Sequence, residues 1–267
     1  MRSGSEVRGR GSLIHPTAIV DPEAEIGEGV EIGPYCVIAA TVKIGAGTVV
    51  GPRVTIEGNT TLGAENEIFT GAVLGSRTQD KKFEGGQTFL RIGSRNKIRE
   101  YVTMNPGTKE GTETVVGDDN LIMAYAHIAH DCIIRNHTIL ANAATLAGHV
   151  LIEDRAIIGG LTGVHQFVRV GSLAIVGGCS KVVQDVPPFI MADGHPARAY
   201  GLNSVGLSRA RMSAEEKSVL KKAFKIVFRS GLTVKKAAAQ LEKELPATPS
   251  LRTLIEFLQA SDRGICR

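Results

Sequence analysis

The chain has 267 residues, 43% of them hydrophobic and 22% charged, with a formal net charge of +4, a composition that suits a soluble globular protein of one or two domains with a real core. No run approaches eighteen uninterrupted apolar residues, which excludes a membrane-spanning helix. Aromatic residues make up only 4% and tryptophan is absent, so the core must be filled by Val, Ile, Leu and Ala, as suits a narrow, repetitive interior.

Residues 1–12 are rich in Arg, Gly and Ser and lack the apolar centre of a secretory signal, which predicts a disordered lead-in. From Ile14 an aliphatic residue recurs at every sixth position, through Val20, Ile26, Ile32, Ile38 and Ile44 to Ile68 and Leu74. The series lapses over Asp80–Arg91, resumes in phase at Ile92, Ile98 and Met104, and lapses again over Glu110–Val115. It then runs unbroken from Val116 through Ile128, Leu146 and Val164 to Val182. A helix needs apolar spacings of three and four and an ordinary strand alternates by two, so a period of six fits neither. It fits a short strand and a bend, repeated so that three hexads close one triangular coil. The expected fold is therefore a left-handed parallel β-helix, a hexapeptide-repeat solenoid over residues 13–200, with an α-helical domain over 201–267.

In that second domain Ser213-Ala-Glu-Glu216 reads as a capping box that opens a helix ending at Gly231. Thr233–Leu245 and Ser250–Ala260 read as two more helices. From Ser208 onward there are 13 Lys and Arg against 6 Asp and Glu, whereas the remainder carries 18 against 21. Any acidic partner should thus dock on the C-terminal helices. The cysteines, Cys36, Cys132, Cys179 and Cys266, form no CxxC pair and suit a reduced, cytoplasmic protein.

Residues eighteen apart stack in successive coils, about 4.8 Å from one to the next. His130 then lies under Gly148, which lies under Gln166, and Asp131 lies under His149. His165 sits one residue before that column and His127 three before it, so four of the seven histidines converge on one corner beside a carboxylate. Two chemistries could use it. A histidine with an acidic neighbour suits general-base activation of a hydroxyl or amine, and three histidines could hold zinc with water in the fourth position, as in β-helical carbonic anhydrases. The same count of eighteen sets Lys82, in the first lapse, one third of a coil away from the His130 column, either as a solvated loop lysine or, in a symmetric trimer, opposite a neighbouring subunit's histidines.

The most specific segments are Asn120–Met123 (NLIM), Ala126–Cys132 (AHIAHDC), Leu146–Val150 (LAGHV), Val164–Phe167 (VHQF), Gln184–Pro188 (QDVPP), Phe228–Gly231 (FRSG) and Asp262–Gly264 (DRG). In these segments the chain resembles the UDP-N-acetylglucosamine acyltransferase family of lipid A biosynthesis, over essentially its whole length from Ile14. The resemblance implies a homotrimer with active sites between subunits. Its donor would be an (R)-3-hydroxyacyl chain on acyl carrier protein and its acceptor a UDP-sugar. It implies no cofactor, no metal and no nucleic-acid partner. His130 would be the general base, oriented by Asp131, with the Gly148 N–H stabilising the oxyanion. Gln79, Asp80 and Lys82 would come from the adjacent subunit, with Asp80 touching the donor's hydroxyl. His127, His149, His165 and Gln166 would hold the acceptor, Asn203 and Arg209 the nucleotide and phosphate, and Gly178 matches a position that limits acyl length, where glycine leaves room for a longer chain. The chain departs from the family at Val205, at Ala210 and at Asn105-Pro106, where the family often has glutamate, arginine and His-Arg. Both a sugar 3-hydroxyl and a 3-amine remain open as acceptor. Outside the acyltransferases, the rivals are a β-helical zinc carbonic anhydrase and a non-catalytic solenoid scaffold.

Overall fold

An inward aliphatic side chain at every sixth residue leaves room for a two-residue strand and a four-residue corner. That is how the chain folds from Leu13 to Val182 in the computed structural model, which describes residues 12–267. The strands stack into sheets of eleven (the last two from a closing hairpin), nine and eight members, parallel throughout the coils, that form the three faces of a prism, a left-handed parallel β-helix. The expected lead-in lies outside the described residues, apart from Ser12, whose hydroxyl donates to Gly27 O (2.9 Å).

The period-six residues are the interior: Ile122, Ile128, Ile134, Leu140, Leu146 and Ile152 are fully buried, and the second inward position of each hexad is small, as at Ala126, Cys132, Ala144 and Ala156. Removing each large aliphatic side chain from water is worth about 1.5–3 kcal/mol. At the corner between the third and first faces the second inward position is polar in five coils, at Thr48, Asn66, Asn96, Asn120 and Thr138. Asn96 N–H donates to Asn66 Oδ1 (2.9 Å), Asn120 N–H to Asn96 Oδ1 (2.9 Å) and Thr138 N–H to Asn120 Oδ1 (2.7 Å). The buried backbone N–H groups are thereby satisfied coil by coil, while Asn120 Nδ2 has no partner among the described residues.

Regular coils are eighteen residues long, so Ile128 pairs with Leu146 and Leu146 with Val164. Two coils are longer. Val73 pairs with Thr103, and Thr103 with His127, so the two lapses insert extra chain at 75–88 and 105–112. Both insertions leave the coil between the second and third faces, the same corner that carries His130 between Ile128 and Ile133.

Beyond Val182 the coil closes with an antiparallel hairpin of Ile190–Gly194 and Ala197–Leu202, which extends the first face. The expected domain division after residue 200 falls inside its second strand. Four helices follow: α1 (Ser204–Arg209), α2 (Ala214–Arg229), α3 (Val234–Glu244) and α4 (Pro249–Gln259). Ser213, Thr233 and Thr248 cap the last three, each hydroxyl accepting from an N–H three residues on. Neither α1 nor the hairpin was foreseen. Val219, Leu220, Ala223 and Val227 of α2 pack with Leu241, Leu254 and Leu258 in a second core. The C-terminal tail is tied back to the last coil by Asp185, whose carboxylate accepts from Arg169 N–H (2.9 Å) and Ser261 Oγ (2.7 Å).

Candidate active site

At the corner between the second and third faces, successive coils place Asp131, His149 and Phe167 at one equivalent position, with φ of 58°, 61° and 64°. A left-handed backbone aims these side chains outward from the bend, and it is a conformation that non-glycine residues adopt at some cost. The His130 and Asp131 side chains are only 14% and 10% exposed. The His130 Nδ1–H donates to Asp131 Oδ2 at 2.8 Å. A carboxylate only accepts, so this bond puts the ring proton on Nδ1 and leaves the Nε2 lone pair for chemistry.

Gly148 lies against the same ring, and a Cβ there would collide with His130 Cε1 and Nε2. Among the described residues the Gly148 N–H has no hydrogen-bond partner, so it is available to a ligand beside Nε2. His149 packs edge-on to His130, with centroids 5.1 Å apart, and its Nε2 lies 3.8 Å from Asp131 Oδ2. Phe167 stacks on His149 at 4.6 Å. His127 is held by Thr103, whose Oγ1 lies 2.7 Å from His127 Nδ1. Burial, and secondarily the nearby His130, hold the His127 imidazole below its ordinary range. Burial lowers His149 too, against an opposing pull from Asp131. The neighbouring Cys132 thiol is pushed up to about 12 by burial, which rules it out as a nucleophile at neutral pH.

Asp80 corrects one expectation. Its Oδ2 lies 3.5 Å from His130 Nε2 of the same chain, whereas counting by eighteen had set this segment on another face, for a neighbouring subunit to receive. The count failed because the inserted residues lengthen two coils and leave them at the His130 corner itself. Lys82 and Gln79 are exposed on the same insertion; the Lys82 N–H donates to Asp80 Oδ1 (3.0 Å). His165 and Gln166 are exposed at the corner one coil beyond Gly148, with His165 Nδ1 3.3 Å from an Arg263 guanidinium nitrogen.

Three expected residues are not part of this cluster in one chain. Gly178 is at the corner between the first and second faces. Asn203 and Arg209 line a groove of about 460 Å³ on the first face, with His137, Arg155, Ile139 and Ile157. The Asn203 side chain caps α1 there, accepting from Gly206 N–H (2.9 Å) and donating to Leu173 O (2.8 Å). Thr103, Thr108 and Phe167 were not anticipated.

One nitrogen of each of His130 and His149 and one oxygen of Asp131 lie within 4.8 Å of one another. The 2.8 Å between His130 Nδ1 and Asp131 Oδ2 is a proton-sharing distance. Two ligands of one tetrahedral zinc, each about 2.0–2.2 Å from the metal, stand well over 3 Å apart. His127, the other histidine of the corner's lower coil, has Nδ1 bound to Thr103. The donor set suits a base and its orienting carboxylate better than a closed metal centre.

A family profile described as UDP N-acetylglucosamine O-acyltransferase, domain 2, matches residues 185–266, and one described as bacterial transferase hexapeptide (six repeats) matches residues 113–148. The chain is 52% identical, over 96% of its length and 100% of the relative's, to an acyl-[acyl-carrier-protein]–UDP-N-acetylglucosamine O-acyltransferase of Janthinobacterium sp. (strain Marseille). Among solved structures, it is similar to LpxA from Acinetobacter baumannii, with a TM-score of 0.93 and 44% identity over 96% of this chain and 100% of that one. It is also similar to the UDP-N-acetylglucosamine acyltransferase from Bacteroides fragilis, with a TM-score of 0.94 and 39% identity over the same shares.

Proposed function

The chain belongs to the UDP-N-acetylglucosamine O-acyltransferase family, and from that premise we propose that it moves an (R)-3-hydroxyacyl chain from acyl carrier protein to the 3-hydroxyl of UDP-N-acetylglucosamine, the first step of lipid A synthesis. The observation that carries the reading is the His130–Asp131 pair, whose hydrogen bond at Nδ1 leaves Nε2 beside Gly148. His130 Nε2 takes the proton of the sugar hydroxyl as the oxygen attacks the thioester carbonyl, and Asp131 stabilises the imidazolium that forms. The tetrahedral oxyanion accepts from the Gly148 N–H. On collapse the C–S bond breaks, the carrier thiolate leaves, and the imidazolium returns its proton to that sulfur. The ester and the free thiol are the products, with no net proton change.

His149, His127 and Gln166 surround the acceptor in this reading, and Asp80, with Gln79 and Lys82, the donor. The isolation of Gly178, Asn203 and Arg209 from the His130 corner supports a homotrimer, since a threefold assembly sets one subunit's faces against another's corner. The basic C-terminal helices suit acidic acyl carrier protein as a docking partner. No helix among the described residues is long and apolar enough to cross a membrane. The four cysteines are free, as suits the reducing cytoplasm, where we place the reaction.

The test is acyl transfer from (R)-3-hydroxyacyl carrier protein to UDP-N-acetylglucosamine, followed by mass spectrometry for wild type and His130→Ala. The expected result is a product of the added acyl mass, formed about 10²–10⁴-fold more slowly by the variant. A folded His130→Ala protein with full turnover would remove His130 as the base. A wild type inactive on this acceptor at every chain length, but active on the 3-amino sugar, would overturn the O-acyl reading.

A further inference from the structure

Most corners of the coil turn in four residues, as Ala147–Val150 does beside the site, so the insertions at 75–88 and 105–112 are not needed to build the solenoid. They nevertheless bury polar side chains. Thr78, Asn105 and Thr108 are only 6%, 4% and 5% exposed, an arrangement that costs stability unless every group finds a partner. Their side-chain partners are each other and the backbone of the first insertion, and the Thr108 backbone reaches Asp131 beside His130. Asn105 Nδ2 donates to Ser76 O (2.9 Å) at the root of the first insertion. The Thr78 and Thr108 hydroxyls meet at 3.3 Å. The Asp80 N–H donates to Thr78 Oγ1 (3.2 Å), and the Thr108 N–H donates to Asp131 Oδ2 (3.2 Å).

We propose that Thr108 and Asn105 are positioning residues for the His130 base, acting through Asp131 and the Asp80 segment. Asp131 Oδ2 accepts from both Thr108 N–H and His130 Nδ1–H, so the carboxylate cannot rotate away without losing two bonds at once. That holds the imidazole in the tautomer with its lone pair on Nε2. The Thr78–Thr108 hydroxyl pair carries the same reference to the Asp80 backbone, so the Asp131 carboxylate and the Asp80 segment are held from one buried contact. Asn105 anchors the root of the first insertion and thereby keeps Thr78 in place. With the hydroxyl pair broken, the second insertion loosens, Asp131 turns, and His130 spends time with its proton on Nε2, where it cannot act as a base.

This inference rests on His130 as the base, so its test includes a reading that needs no turnover. Thr108→Val keeps the side-chain volume and the backbone N–H but removes the hydroxyl, Thr108→Ser restores it, and Asn105→Ala removes the anchor. For Thr108→Val we expect kcat to fall about tenfold with both KM values within twofold, and the acidic limb of the pH–rate profile, which reports the base, to move. Thr108→Ser should recover most of the rate, and Asn105→Ala should behave like Thr108→Val. In ¹⁵N-histidine-labelled, substrate-free protein, the His130 resonances, assigned by their loss in His130→Ala, should shift towards the Nε2-protonated tautomer in Thr108→Val. Unchanged kcat, pH profile and nitrogen shifts in a folded Thr108→Val protein would overturn the proposal. So would a rate loss matched by loss of folded protein with the His130 shifts intact. If wild type transferred no acyl group, the functional reading would fall, while the nitrogen shifts would still decide whether Thr108 sets the tautomer.

Discussion

The interior of the coils and the corner between the second and third faces are built from the same repeat and obey opposite rules. Inside, Ile128, Leu146 and Val164 stack on one another and are almost interchangeable, because all that position asks of them is apolar volume. At the corner, equivalent places in the same coils hold Asp131, His149 and Phe167, three unlike side chains, with two lengthened connections, 75–88 and 105–112, extruded beside them. Burial fixes the inward residues and leaves the outward corner free, so the chemistry collects where the repeat makes no demand. Substitutions inside should therefore be read in stability, and those at the corner in turnover.

The largest test of that division is Leu140→Ala, a fully buried side chain on the first face. Loss of its contacts, with the cavity left behind, should cost about 2–5 kcal/mol, measured by denaturant unfolding, while the folded fraction keeps its kcat. A rate loss in the folded fraction would break the division, because it would make the core part of the catalytic device. Gly148→Ala should do the reverse. A methyl there meets the His130 ring and crowds the approach to the Gly148 N–H, so kcat should fall about 10²–10³-fold, on the scale of losing one oxyanion donor. The melting temperature should stay close to wild type. A large drop in stability with kcat intact would mean that the glycine serves the coil rather than the site.

The same division governs what the sequence discloses. The period of six survives from Ile14 to Val182 because burial enforces it, and so the coils, and the column of His130, Gly148 and Gln166, can be read by counting: no insertion lies among those coils. The N-terminus of α2 is equally legible, since Ser213 and Glu216 fulfil a local rule. Asp80 was misplaced because counting by eighteen assumes a constant coil length, and the coils before His130 are longer. The signal was available. The lapses follow Leu74 and Met104, which share a face with Ile128 once the extra residues are set aside. The hairpin and α1 lie past the last periodic residue and carry no comparable pattern. For Thr78, Asn105 and Thr108, polarity alone predicts solvent, and only the folded insertions reveal burial.

The smallest effect lies where the two regions meet, in the pH dependence of stability. His127 and His149 sit at the corner but are partly covered, and burial lowers both below their unfolded value of about 6.5. Between each folded value and 6.5 the unfolded chain binds more protons than the folded one, so stability rises with pH through that window. The loss should begin as pH falls below about 7, grow towards the folded values and level off beneath them. Melting curves between pH 8 and 5 should show this shallow decline. His127→Gln, which can still hydrogen-bond to Thr103 but does not titrate, should flatten part of it. Leu140→Ala should lower the whole curve and keep its slope, since the removed methyls carry no proton equilibrium. A slope that survives in His127→Gln would assign the pH dependence to groups elsewhere in the chain, and a slope lost in Leu140→Ala would show that core packing, rather than the corner's own burial, controls the titration of its histidines.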